Sequence, residues 1–413
     1  MTWRTAARLV LGVMVATGAR AGAAERVGAG AVTFNTNFEG GSLGRVEVVG
    51  DGVYRCHVEG QCDERGRNRQ ASWYYFRMDH VKGRPITIML TDLVGEYNDK
   101  PGAVPYGPDM VPVFSNDGGQ WTHFAGTEWD KEKKEATIKF TAEADSIWIA
   151  HIAPYTPRNL GRLLAEVGKS PFAVVEVIGK TAEGRDLHLV TVTDPAVADA
   201  GKKVVWLQAR QHAWEAGTSW VMEGAMRWAV SEEAAGLRGR VVFKFTPMMD
   251  PDGCAGGKVR FNANGYDVNR HWDEVNLRDK HFLNLMPEIW YVKKAVFGQV
   301  DSGKKIDLML NLHNTETGEY LATHVKEGPV SEMMQRFFDR LVGETSFDPS
   351  RPLSTGGDPA DTNSLWEEKG VPVMLMEQRI GTGKKLGHRP TVEDRVEFGG
   401  RLIRVMGEVV SSQ

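Results

Sequence analysis

Residues 204–215 read VVWLQARQHAWE, and this stretch indicates both the fold of the chain and the place of its chemistry. The uninterrupted apolar run at its start is typical of a strand that is buried on both faces of a sheet. After a short turn, His212 and Glu215 follow three residues apart, where an amphipathic helix over residues 218–229 is predicted. Residues i and i+3 share one helix face, so we expect the two side chains to point to the same place.

Apolar runs and amphipathic stretches alternate around this segment. The runs lie at residues 172–179, 187–193, 204–207, 241–246, 306–312 and 371–377, and the amphipathic stretches at 218–229, 284–298, 332–343 and 392–410. Such alternation is typical of an α/β domain with helices on both faces of its sheet. We therefore predict a mixed, mostly parallel sheet flanked by helices over residues 154–413.

The preceding part of the chain has a different character. Short alternating stretches at residues 45–49, 72–78, 86–90, 136–140 and 146–151 are separated by clusters of Gly, Asn, Asp and Pro. Short strands with frequent turn signals suggest a β-sandwich. Residues 25–153 are therefore predicted to form an all-β domain, and a chain of 413 residues has room for two domains.

The first 24 residues resemble an export signal. Arg4 and Arg8 precede a short apolar run at residues 9–16, and small residues follow it. The run is too short for a membrane helix, which needs about 20 apolar residues. We expect a periplasmic or secreted protein with no membrane span, the alternative being an uncleaved disordered N-terminus. The net charge of −4 and the lack of a basic stripe argue against a nucleic-acid partner.

The chain has three cysteines. Cys56 and Cys62 are close enough in sequence to form a small-loop disulfide in an oxidising compartment, and the sequence leaves this pairing open. Cys254 is expected to be a buried free thiol.

A candidate metal site follows from the first stretch. Imidazole and carboxylate are good zinc ligands, and catalytic zinc sites commonly have three protein ligands. His313 ends the apolar run at 306–312, so it can meet His212 and Glu215 at one edge of the sheet. The alternative is a surface helix start with an acidic residue near its positive end. His313 and Glu316 also have the His-x-x-Glu spacing, but no strong amphipathic helix follows this second pair.

Three further positions have candidate functions. Glu377 ends an apolar strand, where a carboxylate is costly to bury. Beside a metal it could move a proton, and otherwise it could pair with Arg379. Arg260 could stabilise an oxyanion, and Asn269 with Arg270 could bind a carboxylate. The alternative is that these arginines pair with acidic residues of their own loop, namely Asp267, Asp273 or Glu274.

The order of these motifs strongly resembles the zinc carboxypeptidase family, in its cytosolic-carboxypeptidase branch. The series is His-x-x-Glu, Asp-Pro-Asp-Gly, Asn-Arg-x-Trp, strand-His and strand-Glu, and the branch places a β-sandwich before the catalytic domain. FNTNFEGGSL at residues 34–43 and WYYF at 73–76 resemble that N-terminal domain. The similarity covers nearly the whole chain after the first 24 residues.

The resemblance implies a metallocarboxypeptidase that removes C-terminal residues from peptides or proteins with a free carboxylate. It implies one Zn²⁺ per chain, bound by three ligands, a catalytic carboxylate, a residue that polarises the scissile carbonyl, and a carboxylate clamp. By matching position these are His212, Glu215 and His313, then Glu377, Arg260, and Asn269 with Arg270. The alternatives are a zinc hydrolase of cell-wall peptides or N-acyl amino acids and, more remotely, a non-catalytic binding protein.

The chain departs from the branch at several positions. Ala213 and Trp214 replace the usual Pro-Gly between the two ligands, Asp250 replaces an asparagine, and Asn311 replaces an aspartate. Preference for a C-terminal residue is left open. Asp358 or Asp361 would favour a basic residue, whereas Arg379 or Lys384 would favour glutamate.

Overall fold

The computed structural model describes residues 31–97, 99–103, 106–355 and 364–412. The predicted export signal and the specificity candidates Asp358 and Asp361 lie outside these residues. Export and the choice of terminal residue therefore stay predictions.

The N-terminal part is an all-β sandwich, as predicted. Its strands are β1 (Thr33–Asn35), β2 (Val46–Gly50), β3 (Val53–His57), β4 (Tyr75–Asp79), β5 (Pro85–Thr91), β6 (Gly95–Tyr97), β7 (Lys100–Ala103), β8 (Val113–Ser115), β9 (Thr122–His123), β10 (Glu128–Asp130), β11 (Glu135–Thr141) and β12 (Ser146–Ala150). One sheet has the order β1-β4-β12-β8-β9, the other β10-β11-β5-β3-β2, and β6 pairs with β7. Alternate residues of β5 are buried, which is why its sequence alternates.

The second part combines helices with one large sheet. Its strands are β13 (Ala173–Lys180), β14 (Asp186–Val192), β15 (Lys203–Ala209), β16 (Val241–Thr246), β17 (Leu308–Thr315), β18 (Tyr320–Thr323), β19 (Ser354–Thr355) and β20 (Val373–Arg379). Its helices are α1 (Pro157–Val167), α2 (Ala216–Val230), α3 (Ala235–Arg238), α4 (Pro251–Ala255), α5 (Lys280–Leu285), α6 (Pro287–Asp301), α7 (Gly328–Glu344), α8 (Ser364–Lys369) and α9 (Val392–Ser411), with a 3-10 turn at Glu232–Ala234.

The sheet has the order β13-β14-β16-β15-β17-β20-β18-β19 and is mixed. Its centre, from β16 to β20, is parallel, whereas β13, β14 and β18 run antiparallel to their inner neighbours. The parallel register sets His313 on β17 directly beside Glu377 on β20. The carboxyl ends of β15, β17 and β20 therefore meet at one edge, where open α/β sheets bind their ligands.

The continuous apolar runs of the central strands are explained by helices on both faces. Val205 and Leu207 of β15 pack with residues of α2, α7 and α9, whereas Val204 and Trp206 pack with residues of α6. β13, in contrast, lies at the edge of the sheet and exposes Val174 and Val177.

Besides the cores on the two faces of the sheet, a further hydrophobic core crosses from the sandwich into the second part. It joins sandwich residues such as Tyr74 and Ile149 to Trp214, Met248 and Val259.

The disulfide considered between Cys56 and Cys62 is not formed in this structure. Cys56 and Cys254 are buried thiols, and Cys62 is an exposed thiol. No helix in the described part of the chain is both long and apolar enough to cross a bilayer.

Candidate metal centre

The turn after β15 is shaped by Arg210. Its φ of 61° is in the left-handed region, and its buried guanidinium donates to the carbonyls of Tyr155, at 3.0 Å, and Ala213. His212 and Glu215 lie in this turn, and α2 begins only at Ala216. The pair therefore lies at the start of the helix, with Glu215 as the N-cap of α2, and does not share a helix face. The turn brings the two side chains together because Arg210 fixes the backbone between them.

His212, Glu215 and His313 meet in three dimensions. Each offers a ligand atom, and these atoms lie within 4.8 Å of one another. Nδ1 of His212 is 2.7 Å from Oε1 of Glu215, and Nδ1 of His313 is 3.0 Å from Oε2 of the same carboxylate. All three residues are buried. Glu316, the alternative partner of His313, instead accepts a hydrogen bond from Ser72 Oγ at 3.0 Å.

The donor set suits a zinc ion. Two imidazole nitrogens and one carboxylate oxygen, with a side open to substrate, are typical of catalytic zinc sites. Burial acts to raise the pKa of Glu215, but the imidazoles of His313 and His212 lower it to about 2. The carboxylate is therefore anionic at neutral pH, as a metal ligand must be.

Side chains outside the triad orient both imidazoles. Nε2 of His212 is 3.1 Å from Oδ1 of Asp267, and Nε2 of His313 is 3.0 Å from Oε1 of Gln211. Asn311 lies 2.9 Å from the same nitrogen of His313. Although burial opposes it, Arg260 and His212 hold the pKa of Asp267 well below its usual range, so this residue is also charged. Partners of this kind fix the ring orientation of metal-binding histidines.

Glu377 faces the same region from β20. Its Oε2 atom is buried and has no hydrogen-bond partner in the structure. Burial, followed by repulsion from Glu215 and Glu316, raises the pKa of Glu377 well above its usual value. The alternative partner, Arg379, instead contacts Asp109 at 3.0 Å. A carboxyl group with a buried, unpartnered oxygen and a raised pKa is poised to exchange a proton.

The candidates for substrate contact lie on one loop. Arg260 donates from Nε to Oδ2 of Asp267 at 2.7 Å, so the alternative of pairing within the loop does hold for this arginine. Asp267 also contacts His212, which places Arg260 beside the triad. Nη1 of Arg270 donates to the carbonyl of Asn269 at 2.9 Å, and Oδ1 of Asn269 is buried without a partner.

Sequence reasoning overlooked two features of the site. The sequence predicts Asp267 only as an ion-pair partner within its loop, and Glu316 only as an alternative ligand. Burial raises the pKa of Glu316 to about 7, and its bond to Ser72 brings the sandwich to the edge of the site. No sequence signal marks the contacts of Asp267 with His212 and of Glu316 with Ser72, because they join segments far apart in the chain.

Of the cations considered for specificity, Arg379 is paired with Asp109 and Lys384 is exposed.

Comparisons with known proteins agree with this arrangement. The profile of the family "Zinc carboxypeptidase" matches residues 163–320, and that of the "Cytosolic carboxypeptidase N-terminal domain" matches residues 34–152. Cytosolic carboxypeptidase 3 of Mus musculus is 26% identical over 308 residues, which cover 68% of this chain and 29% of the mouse protein. An uncharacterised Zymomonas mobilis protein is 29% identical over 286 residues, covering 68% of this chain and 67% of that protein.

Solved structures show the same fold over both parts of the chain. A metallo-carboxypeptidase from Burkholderia cenocepacia has a TM-score of 0.79 at 22% identity, covering 92% of this chain and 99% of that chain. The mouse relative is much longer, since the match spans less than a third of it. The two family matches are consecutive, and their order is that of the two parts described above. The chain therefore contains a zinc carboxypeptidase domain, preceded by a domain of the cytosolic-carboxypeptidase N-terminal type.

Proposed function

We propose that this chain is a zinc-dependent metallocarboxypeptidase that binds one Zn²⁺ through His212, Glu215 and His313. The observation that supports this best is the meeting of three buried ligand atoms within 4.8 Å, close to an unpaired buried carboxyl oxygen of Glu377. When bound, zinc supplies Lewis-acid chemistry, polarising a carbonyl and lowering the pKa of water. The remaining steps belong to residues of the chain.

Glu377 is the proposed proton carrier. It takes a proton from the attacking water and later donates it to the leaving amine, so that the peptide bond is hydrolysed with no net change in the enzyme. Its surroundings favour this function, since burial and the neighbouring carboxylates of Glu215 and Glu316 raise the pKa of Glu377 and so make it a stronger base. Arg260, beside the triad, donates hydrogen bonds to the oxyanion that develops on the scissile carbonyl.

Asn269 and Arg270 are the proposed clamp for the terminal carboxylate of a peptide or protein substrate. The guanidinium of Arg270 offers donors in a geometry that matches a carboxylate, and Nδ2 of Asn269 can donate to the same group. A clamp of this kind would restrict cleavage to the last peptide bond. It would also accept an N-acyl amino acid or a cell-wall peptide, so the clamp alone does not distinguish the two substrate classes.

The test is a Glu377→Gln variant assayed on a peptide with a free C-terminus and on its amidated counterpart. We expect the variant to retain one zinc per chain, measured by metal analysis, and to lose turnover by about 10²-fold or more, because the amide cannot accept the proton. Glu367→Gln, at an exposed glutamate of α8, is the matched control. An active Glu377→Gln variant would refute the assignment, and wild-type turnover of the amidated peptide would contradict recognition of a free terminal carboxylate.

We also propose that the chain is exported, as the basic and apolar pattern of residues 1–24 predicts. N-terminal sequencing of the mature protein is the measurement that checks this, and an intact first residue would contradict it.

A further inference from the structure

The segment of residues 259–261, which includes Arg260, lies between the two parts of the molecule. On one side, the amide of Trp214, between the two ligands of the turn, donates to the carbonyl of Val259 at 2.9 Å. Val259 itself is only 2% exposed and belongs to the core that the two parts share. The position of the Arg260 backbone therefore depends on both parts.

On the other side, one glutamine of the sandwich binds the whole segment. Oε1 of Gln61 accepts from the amides of Val259, Arg260 and Phe261 at 2.9, 2.8 and 3.0 Å. Its Nε2 donates to the carbonyl of Phe261 at 2.6 Å. A single side chain thus makes four hydrogen bonds to three successive residues that are about 200 positions away in sequence.

Gln61 is itself held firmly. Its backbone exchanges two hydrogen bonds with Gln70, at 2.8 and 2.7 Å, and Nε2 of Gln70 donates to the carbonyl of Glu96 at 2.6 Å. The backbone of Gln61 is therefore fixed within the sandwich, and its side-chain amide extends from there to the 259–261 segment. A rigid support of this kind is needed to hold a catalytic group in a productive geometry.

The far end of the Arg260 side chain is also fixed. Its Nε donates to Asp267 at 2.7 Å, and Asp267 contacts His212. Gln61 fixes the backbone of Arg260 and Asp267 fixes its guanidinium, so together they set where the remaining donors point. Loss of the backbone anchor would let the guanidinium move relative to the triad.

We propose that Gln61 is a positioning residue for Arg260, through which the N-terminal sandwich completes the active site. This inference rests on the proposed function of Arg260. The hydrogen bonds that the Gln61 side chain makes to described residues go to the backbone of the 259–261 segment, so we expect it to act through that segment and not on the triad directly. The sandwich would accordingly be needed for the chemical step, in addition to its contribution to the shared core.

The test uses the full-length zinc-loaded protein and a peptide with a free C-terminus. Gln61→Met keeps the length of the side chain and removes all four hydrogen bonds. We expect kcat to fall about 10- to 100-fold, because small displacements of a catalytic group have effects of that size, with little change in KM or zinc content. Gln61→Glu keeps the acceptor and should retain more activity than Gln61→Met. Gln120→Met, at an exposed glutamine of the same sandwich, is the matched control.

Arg260→Ala and the double variant separate the possible outcomes. If Gln61 acts through Arg260, Gln61→Met should cause little further loss in the Arg260→Ala background. Unchanged kcat in Gln61→Met, or losses that multiply fully in the double variant, would overturn the inference while leaving the function of Arg260 intact. Unchanged kcat in Arg260→Ala would instead contradict the proposed function of Arg260, and the inference with it. Rates are normalised to the zinc-loaded, folded fraction, so that instability of Gln61→Met is not mistaken for a catalytic defect.

Discussion

Asp267 links two candidate groups of the active site through one carboxylate. Its Oδ1 is 3.1 Å from Nε2 of His212 and its Oδ2 accepts from Arg260 at 2.7 Å. An anionic Asp267 favours the tautomer of His212 that carries its proton on Nε2. Nδ1, which faces Glu215, is then free of a proton and able to bind a metal. One residue therefore sets both the metal-binding state of an imidazole and the direction of a guanidinium.

Replacing this carboxylate by an amide should weaken metal binding. Asp267→Asn keeps the size of the side chain but removes the charge that orients His212 and holds Arg260. We expect zinc to bind about 10- to 100-fold more weakly, as is usual when the partner of a metal-binding histidine is lost. Competition with a chelator of known affinity measures this. Asp273→Asn, at an exposed position of the same loop, should bind zinc as the wild type does, and equal affinities of the two variants would contradict the prediction.

The sequence was informative at the residues that belong to local patterns and much less so at their partners. His212, Glu215, His313 and Glu377 could be chosen because each follows a recognisable strand or turn, and the structure brings them together. Gln61, by contrast, is an ordinary polar residue in a loop. Its function depends on hydrogen bonds to residues about 200 positions away, which no periodicity or spacing encodes.

At the scale of elements, α2 and α9 pack with almost no space between their backbones. A Cβ placed on Gly399 would lie 1.9 Å from the carbonyl oxygen of Val221, and one on Gly224 would lie 1.9 Å from that of Val396. Each helix therefore presents a glycine to the backbone of the other. Because α2 begins directly after Glu215, this contact also fixes the helix that follows two of the ligands.

Adding a methyl group at this contact should force the two helices apart. We expect Gly399→Ala to destabilise the protein by about 1–3 kcal/mol, the usual cost of overpacking a well-packed core, despite the better helix propensity of alanine. Urea unfolding measures the difference. Gly400→Ala is the neighbouring control, because its Cβ would meet only the Trp228 side chain at 3.4 Å or more. A Gly399→Ala variant as stable as Gly400→Ala would show that the helices can move without cost.

The elements themselves were largely predictable, and their surroundings less so. The central strands of the sheet and the helices α2, α6, α7 and α9 correspond to the apolar runs and amphipathic stretches of the sequence. The edge position of β13 was not predicted, because its apolar residues resemble those of a buried strand. Strand order and direction depend on pairings between distant segments, so the antiparallel edge of the sheet has no local signal.

At the scale of the whole molecule, Asp109 joins the sandwich to the loop that follows the strand of Glu377. Its carboxylate accepts from the amide of Thr382 at 2.7 Å and from its hydroxyl at 2.6 Å. It also pairs with Arg379 at 3.0 Å and with Arg389 at 3.1 Å. One carboxylate of the N-terminal domain therefore holds the last residue of β20 and two residues of the loop that leads to α9.

These contacts should make the molecule less stable as the pH falls into the acid range. Burial acts to raise the pKa of Asp109, but the bonds from Thr382 and the charges of Arg389 and Arg379 lower it below its ordinary value of 3.8. A carboxylate whose pKa is lowered by folding binds fewer protons in the folded state than in the unfolded state. Its stabilising contribution is therefore present above pH 3.8 and is lost as the pH falls below that value.

Asp109→Asn removes this charge with little change in shape. We expect the variant to be less stable than the wild type by about 1–3 kcal/mol at pH 7, the usual effect of losing hydrogen bonds to a charged group. The difference should narrow as the pH falls below 3.8, since the wild-type carboxylate then becomes neutral as well. Urea unfolding at several pH values measures both effects. Asp145→Asn, at an exposed aspartate of the same sandwich, is the control. A stability difference for Asp109→Asn that stays constant with pH would contradict the assignment of this charge to the contact between the two domains.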